Sequence, residues 1–344
     1  MKKPFFSIVI PVKEINQNLL EEVIPALKKQ TDPDFELILV PDRAKEVAPL
    51  PGFAKVFPSW PETGPAQKRD FGVKKSRGKV VVFLDDDAYP DKDWLKNARS
   101  YFKKKRIAAV CGPGITPPND PLLSKVSGWM WASFLGAGGA GTYRCRPGKK
   151  REVDDFPSFN LMVRKTDFLK VGGFDTGFWP GEDTKLCHDL VYKLGKRIIY
   201  HPSVLVYHHR RKIFKDHLKQ IGRYGFHRGY FAKILPETSK RVGYFYPLIF
   251  FLGVVSGPLA YLVLSLLNLF FLAKTVSIFY LASWLVYLSL LLFTGIWVGL
   301  MSKDWRISIL VMPTILLSHL FYGLMFLRGL FKKDFKSRYG REVV

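Results

Sequence analysis

Apolar and polar positions alternate in short blocks up to about residue 240, and then an almost unbroken apolar stretch begins. FFSIVIPV (residues 5–12) has the length and β-branched content of a buried strand. A helix-like pattern covers residues 18–29. FELILV (35–40) is a second strand ending at Pro41 and Asp42, and AKVFP (54–58) a short third one. AQKRDFGVKKS (66–76) predicts a helix that Gly78 stops. The apolar run from Val81 to Leu84 leads straight into three aspartates, Asp85, Asp86 and Asp87. DWLKNARSYFKKK (93–105) predicts another helix and IAAVCG (107–112) another strand. Strands alternating with helices predict crossover units, so the fold class is α/β with a mainly parallel sheet. Ligands of such sheets bind beyond the carboxyl ends of the strands, where Pro11, Asp42 and the three aspartates all fall.

Residues 112–151 are rich in Gly and Pro and predict a long irregular loop, mobile or facing an acceptor. Its GAGGAG run (136–141) lacks the preceding strand and the following Lys-Ser/Thr of a phosphate-binding loop. A strand at 160–163, a short helix and a Gly172–Gly173 turn follow. Leu186, Leu190 and Leu194 recur every four residues, an amphipathic helix that Gly195 can end, with Glu182 and Asp183 in its first turn. RIIYHPSVLVYHH (197–209) predicts two short strands around Pro202.

Beyond residue 241, three apolar stretches (244–273, 276–301, 307–327) are each long enough to span hydrocarbon. Three plain crossings would leave the basic C-terminus opposite the first domain, against the positive-inside rule. Gly253, Gly257 and Pro258 in the first stretch predict a bent re-entrant or in-plane hairpin there. The expected organisation is a cytoplasmic domain (1–240) ending in a basic interfacial segment (212–240), membrane helices (241–330) and a basic tail (331–344).

Lys and Arg number 53 against 29 Asp and Glu, a net charge of +24. The basic residues crowd on both sides of the apolar region, which points to a membrane surface. No RNA-recognition, helix-turn-helix or zinc-finger pattern supports nucleic acid as a partner. Cys111, Cys145 and Cys187 are widely spaced with no C-x-x-C, which suggests reduced cytoplasmic thiols and no zinc knuckle. The opening MKKPFFSIVIPVKE has a brief apolar run holding Pro11 and no small-residue cleavage site, so it reads as a first strand and not as a signal peptide.

Three roles are open to Asp85, Asp86 and Asp87. They could form a solvated turn, or the D-x-D nucleophile of haloacid-dehalogenase phosphatases, although Tyr89 stands where that pattern wants Thr or Val. They could also hold a divalent cation that carries a nucleotide diphosphate, since hard cations choose carboxylate oxygens. The wider pattern resembles the family 2 glycosyltransferases of GT-A fold, in their membrane-associated form, over about residues 5–230. SIVIPV (7–12) resembles the first strand, Asp42 after ELILVP the acid near the uracil or ribose, and GPAQKRDFGVKKSRGKVVVFLDDD (64–87) the segment leading to the D-x-D pair. GED (181–183) resembles the motif that carries the base, and QIGRY (220–224) the Q-x-x-R-W motif of polysaccharide synthases, with Tyr224 in place of Trp.

The resemblance implies a helical membrane region after a Rossmann-like domain with helices on both faces of its sheet. It also implies an inverting hexosyl transfer dependent on Mn2+ or Mg2+. Asp183 would be the base, with Glu182 beside it. Asp87, Asp85 and His208 would hold the metal. Pro11, Asp42, Arg69, Asp85, Asp86, Gln220 and Arg223 would contact the nucleotide sugar, and Phe159 and Asn160 fall where the family contacts sugar or acceptor. PVKEINQN and LVPDRA depart from the family pattern in the nucleotide pocket and leave the base open. The implied partners are a nucleotide-diphosphate sugar, a lipid-linked polyprenyl acceptor and the membrane, with the catalytic domain on the cytoplasmic side. A polyprenyl-phosphate monosaccharide synthase is the enzyme alternative, and a non-catalytic membrane subunit that keeps the fold is the alternative of another class.

Overall fold

The computed structural model describes residues 3–43, 50–59, 63–174, 178 and 181–333. The chain divides into two compact units. One takes residues up to Pro117 together with Tyr143–His209, the other Pro118–Thr142 and Arg210–Lys332.

In the first unit the strands are β1 (Phe6–Pro11), β2 (Phe35–Val40), β3 (Ala54–Val56), β4 (Val80–Leu84), β5 (Ala88–Pro90), β6 (Ile107–Cys111), β7 (Gly114–Ile115), β8 (Arg151–Val153), β9 (Asn160–Arg164), β10 (Arg197–Tyr200) and β11 (Val206–His208). Eight of them form one mixed sheet in the order β3-β2-β1-β4-β9-β6-β10-β8. The β3-β2-β1-β4 block is parallel, β9 runs antiparallel between β4 and β6, and β10 is parallel to β6. β4 and β6 are buried along their whole length, which is why their sequences read as unbroken apolar runs without polar alternation.

Two features of this topology build the site. Because β9 is antiparallel, its first residue, Asn160, pairs with Leu84 at the last position of β4. A second small sheet, β5-β11-β7, pairs Ala88 with His208 and carries that histidine to the turn after β4.

Residues 112–151 are not the loop expected from their composition. They contain helices Leu122–Ala132 and Phe134–Cys145, the latter broken where Gly138 takes a φ of 63°. Val126 and Met130, four residues apart, are buried in an apolar cluster with Leu291, Val298, Ile307, Val311 and Ile315. Burial against the core of the second unit, which local composition does not report, makes this segment helical.

The second unit also holds helices Lys215–Ile234, Val242–Leu266, Phe270–Ser302 and Trp305–Phe331. The last three are long and apolar enough to cross a membrane. The bend expected at Gly253, Gly257 and Pro258 does not form, because Val242–Leu266 is one continuous helix. The chain turns at Leu267–Leu269 instead, where Asn268 adopts a left-handed φ of 58°. Helix Lys215–Ile234 lies backbone to backbone on Trp305–Phe331. A Cβ on Gly229 would stand 2.1 Å from the Phe326 carbonyl oxygen, and one on Gly329 2.0 Å from that of Phe226.

Candidate functional site

Each of the three aspartates after β4 has a different partner. Arg69 donates to Asp85 Oδ1 at 2.8 Å, and Asn16 Nδ2 to Asp86 Oδ2 at 2.5 Å. His208 Nε2 lies 3.2 Å from Asp87 Oδ1. Ligand atoms of Asp85, Asp87 and His208 all fall within 4.8 Å of one another. Two carboxylate oxygens and one imidazole nitrogen are a donor set that suits a divalent cation such as Mn2+, whereas Mg2+ prefers oxygen ligands alone. Burial pushes the Asp86 carboxyl up to about 6; Asp87 and Asp85 add to this and the Asn16 amide opposes it.

Helix Pro65–Lys75 supplies the other charges. Its Arg69 is buried and forks, one amine on Asp85 and the other on Glu182 Oε1 at 3.0 Å. Arg69, expected at the nucleotide, thus joins the two acidic motifs, with its guanidinium 5.6 Å from the centre of the Phe174 ring. Its Nε has no hydrogen-bond partner among the described residues. Glu182 is buried too. Burial and the neighbouring Asp183 raise its carboxyl to about 7, against the pull of Arg69.

Gly181, with φ of 127°, turns the chain into helix Glu182–His188 in a conformation that favours glycine. The half-buried Asp183 carboxylate is fixed from two sides, accepting from Thr184 N at 2.8 Å and Ser158 N at 3.3 Å. Behind it the buried Asp155 accepts from the Thr184 hydroxyl at 2.9 Å and from Arg144 at 2.9 Å. These bonds hold the Asp183 carboxylate in one orientation.

At the end of β1, beside Pro11, the buried Lys68 donates to the Val12 carbonyl at 2.6 Å and pairs with the Asp42 carboxylate. Lys68 and Asn16 were not singled out in the sequence. A lysine is seldom buried without a partner, and Lys68 adjoins Arg69 on a helix pointing at two acidic strand ends, so it carried a signal. Asn16 carried none, since its partner is seventy residues away.

Asn160, considered as a sugar or acceptor contact, is wholly occupied as a brace. It accepts from Trp94 Nε1 at 2.9 Å and donates to the Gly112 and Val204 carbonyls at 2.8 and 2.7 Å. Phe159 packs on the His208 ring at 4.7 Å. Gln220 and Arg223 belong to the second unit, on helix Lys215–Ile234, where Gln220 Nε2 donates to the Tyr224 hydroxyl at 3.2 Å and Arg223 is exposed.

Residues 7–170 match the model of Glycosyl transferase family 2. A pre-mycofactocin glycosyltransferase of Mycobacterium tuberculosis is 28% identical over 47% of this chain and 33% of its own length. AglE, a glycosyltransferase of Haloferax volcanii, is 27% identical over 56% of this chain and 64% of its own. A glucosyl-dolichyl phosphate glucuronosyltransferase of the same organism is 24% identical over 42% and 47%. The chain therefore spans between a third and just under two thirds of these relatives. Among solved structures, mannosyltransferase PcManGT from Pyrobaculum calidifontis, in complex with GDP-Man and Mn2+, aligns over 97% of this chain and 89% of its own, with a TM-score of 0.50 at 16% identity. The likeness is one of fold, and it extends to the GT-A arrangement of the sheet.

Proposed function

We propose that this chain, which carries a family 2 glycosyltransferase domain, moves a sugar with inversion from a nucleotide-diphosphate sugar to a lipid-linked polyprenyl acceptor. The observation that carries the reading is the convergence of Asp85, Asp87 and His208 beyond the carboxyl end of β4, with Arg69 bridging Asp85 to Glu182, the neighbour of Asp183. Asp85, Asp87 and His208 would hold a divalent cation. When bound, such a cation supplies positive charge against the departing diphosphate. Asp183 takes the proton of the acceptor hydroxyl as it attacks. Glu182, held by Arg69, keeps the acceptor side of the site in register. Asp42, seated on Lys68, and Pro11 border the nucleoside, and Asp86, steadied by Asn16, completes the donor floor.

The long apolar helices support a lipid-linked acceptor, and the dolichyl-phosphate acceptor in the name of one relative points the same way. Nucleotide sugars are cytoplasmic, so the catalytic domain faces that side. If the acceptor nucleophile is a polyprenyl phosphate, already ionised, no base is needed and Asp183→Asn lowers the rate only mildly. With a hydroxyl acceptor the same change abolishes transfer.

The test uses detergent-purified full-length protein with UDP-, GDP- and dTDP-sugars, Mn2+ or Mg2+, and a polyprenyl lipid extract. Nucleoside-diphosphate release that needs both the metal and Asp87 is the expected result. A folded protein that binds none of these donors with either metal would sink the reading and leave a non-catalytic membrane subunit.

A further inference from the structure

Val242–Leu266 and Phe270–Ser302 form an antiparallel hairpin closed at Leu267–Leu269. Gly257 meets the Tyr280 ring, and Phe250 stacks on Tyr287 at 4.2 Å. Helix Trp305–Phe331 first runs back along the second arm. Ser308 Oγ donates to the Gly295 carbonyl at 2.7 Å, and the Tyr287 hydroxyl lies 2.9 Å from His319 Nδ1.

A third crossing would continue toward the closed end, near Leu266 and Phe270. The helix turns toward the open end instead. Phe326 packs on Phe245 at 4.8 Å, and a Cβ on Gly323 would lie 2.3 Å from the Pro247 carbonyl oxygen. The Lys332 carbonyl accepts from Lys233 Nζ at 2.5 Å, just before the first arm begins. Both ends of Trp305–Phe331 therefore lie at the open end of the hairpin. Its middle, at His319, is level with Phe250, eight residues into the first arm. That depth is about 12 Å along the first arm from Val242 and about 22 Å along the second from Ser302, against about 30 Å of hydrocarbon.

The neighbours of this helix agree. His217 on helix Lys215–Ile234 is fully buried between Ser127 Oγ at 2.8 Å and Ser318 Oγ at 3.0 Å. Lys215, Lys219 and Arg223 of the same helix are exposed and would stand in lipid if residues 318–331 were at the bilayer centre. The most apolar window of each hairpin arm is only 6% buried in protein, against 33% for Trp305–Phe331. On this last helix Trp305, Ile309, Leu317, Leu324 and Phe331 are exposed, and helical spacing places them on one face. An exposed apolar stripe on one side, with the other side packed on protein, is a pattern that fits a helix lying in the membrane surface.

We propose that the chain crosses the bilayer twice, by the hairpin Val242–Leu266/Phe270–Ser302, and that helix Trp305–Phe331 lies in the near leaflet as an in-plane shelf. The basic tail then returns to the side from which Val242–Leu266 enters. This satisfies the positive-inside rule with the in-plane element in the last apolar stretch, where the sequence had suggested the first.

The test uses the full-length protein in sealed vesicles of one orientation, with a protease-cleavable tag before Met1 and another after Val344. A membrane-impermeant maleimide is applied to Leu267→Cys, with the unsubstituted protein as background. Both tags should be cut from one face, and Leu267→Cys labelled from the other face only. A Val344 tag cut from the face opposite the Met1 tag means three crossings and overturns the proposal. Labelling of Leu267→Cys from the face of both tags means a hairpin that does not cross, and also overturns it. If the cysteine variant does not accumulate, the two tags alone decide between an even and an odd number of crossings.

Discussion

The two ends of the central sheet both bury carboxylates and treat them in opposite ways. At the amino end of β2, Glu36 is 3% exposed. It accepts from Ser7 Oγ at 2.8 Å, Arg77 N at 2.7 Å, Arg77 Nε at 3.0 Å and Lys55 Nζ at 3.3 Å. Burial alone would raise its pKa, but these donors outweigh it and hold the group below its ordinary value. At the carboxyl end of β4, Glu182 has one buried guanidinium, one backbone N–H and a like charge beside it, and its pKa is raised to about 7. A structural carboxylate collects the donors it needs from the fold. A buried carboxylate left short of them keeps a raised pKa, which marks it as a candidate for function.

The sharpest break of this contrast is Arg69→Ala. Removing one partner of a buried charge pair costs about 3–5 kcal/mol, so the melting temperature should fall along with activity. Arg69→Lys should recover only part, because one ammonium does not fork onto Asp85 and Glu182. A variant as stable as the parent would mean that the bridge is not formed. Next comes Asp87→Ala. Asp87 is 42% exposed, so stability should hold, while sugar transfer drops about 10²–10³-fold for loss of a charge-stabilising ligand.

Glu36→Gln should do the reverse, lowering stability by about 1–3 kcal/mol with kcat unchanged. The folded pKa of Glu36 is depressed, so its contribution is complete above the unfolded value of 4.5 and is lost as pH falls through the folded one. The gap between variant and parent in urea titrations should close in acid. Glu182→Gln gives the smallest effect and the opposite sign. The folded Glu182 keeps its proton to about 7 and the unfolded one loses it near 4.5, so parent stability declines as pH rises through that window. The variant should decline about 1 kcal/mol less between pH 5 and 6. A parallel decline in both proteins would remove Glu182 from the set of strained acids.

Much of this was legible in the chain itself. β4 and β6 are unbroken apolar runs, β1 and β2 are nearly so apart from Ser7 and Glu36, and such runs become strands buried on both faces. The acids that follow β2 and β4 must then stand at the carboxyl edge. The leucines at every fourth position after Glu182 and the long apolar stretches were equally plain, because they depend on local period and length. The helices within residues 112–151 were hidden, because glycine and proline mask an apolar face whose partner is the distant cluster around Val298 and Ile307.

The sequence by itself determined the strands, the placement of the acidic motifs at their ends and the amount of apolar surface that must meet lipid, since each follows from local pattern. Only the tertiary structure decided how charges are neutralised and how the last apolar helix packs against the two before it. Asn16 reaches Asp86, Arg69 joins Asp85 to Glu182, Asn160 is spent on bracing, and Phe326 turns back to Phe245. These pairings join residues tens to more than a hundred positions apart. Ion pairs and close packing act over a few ångströms of space, and that proximity exists only once the chain has folded.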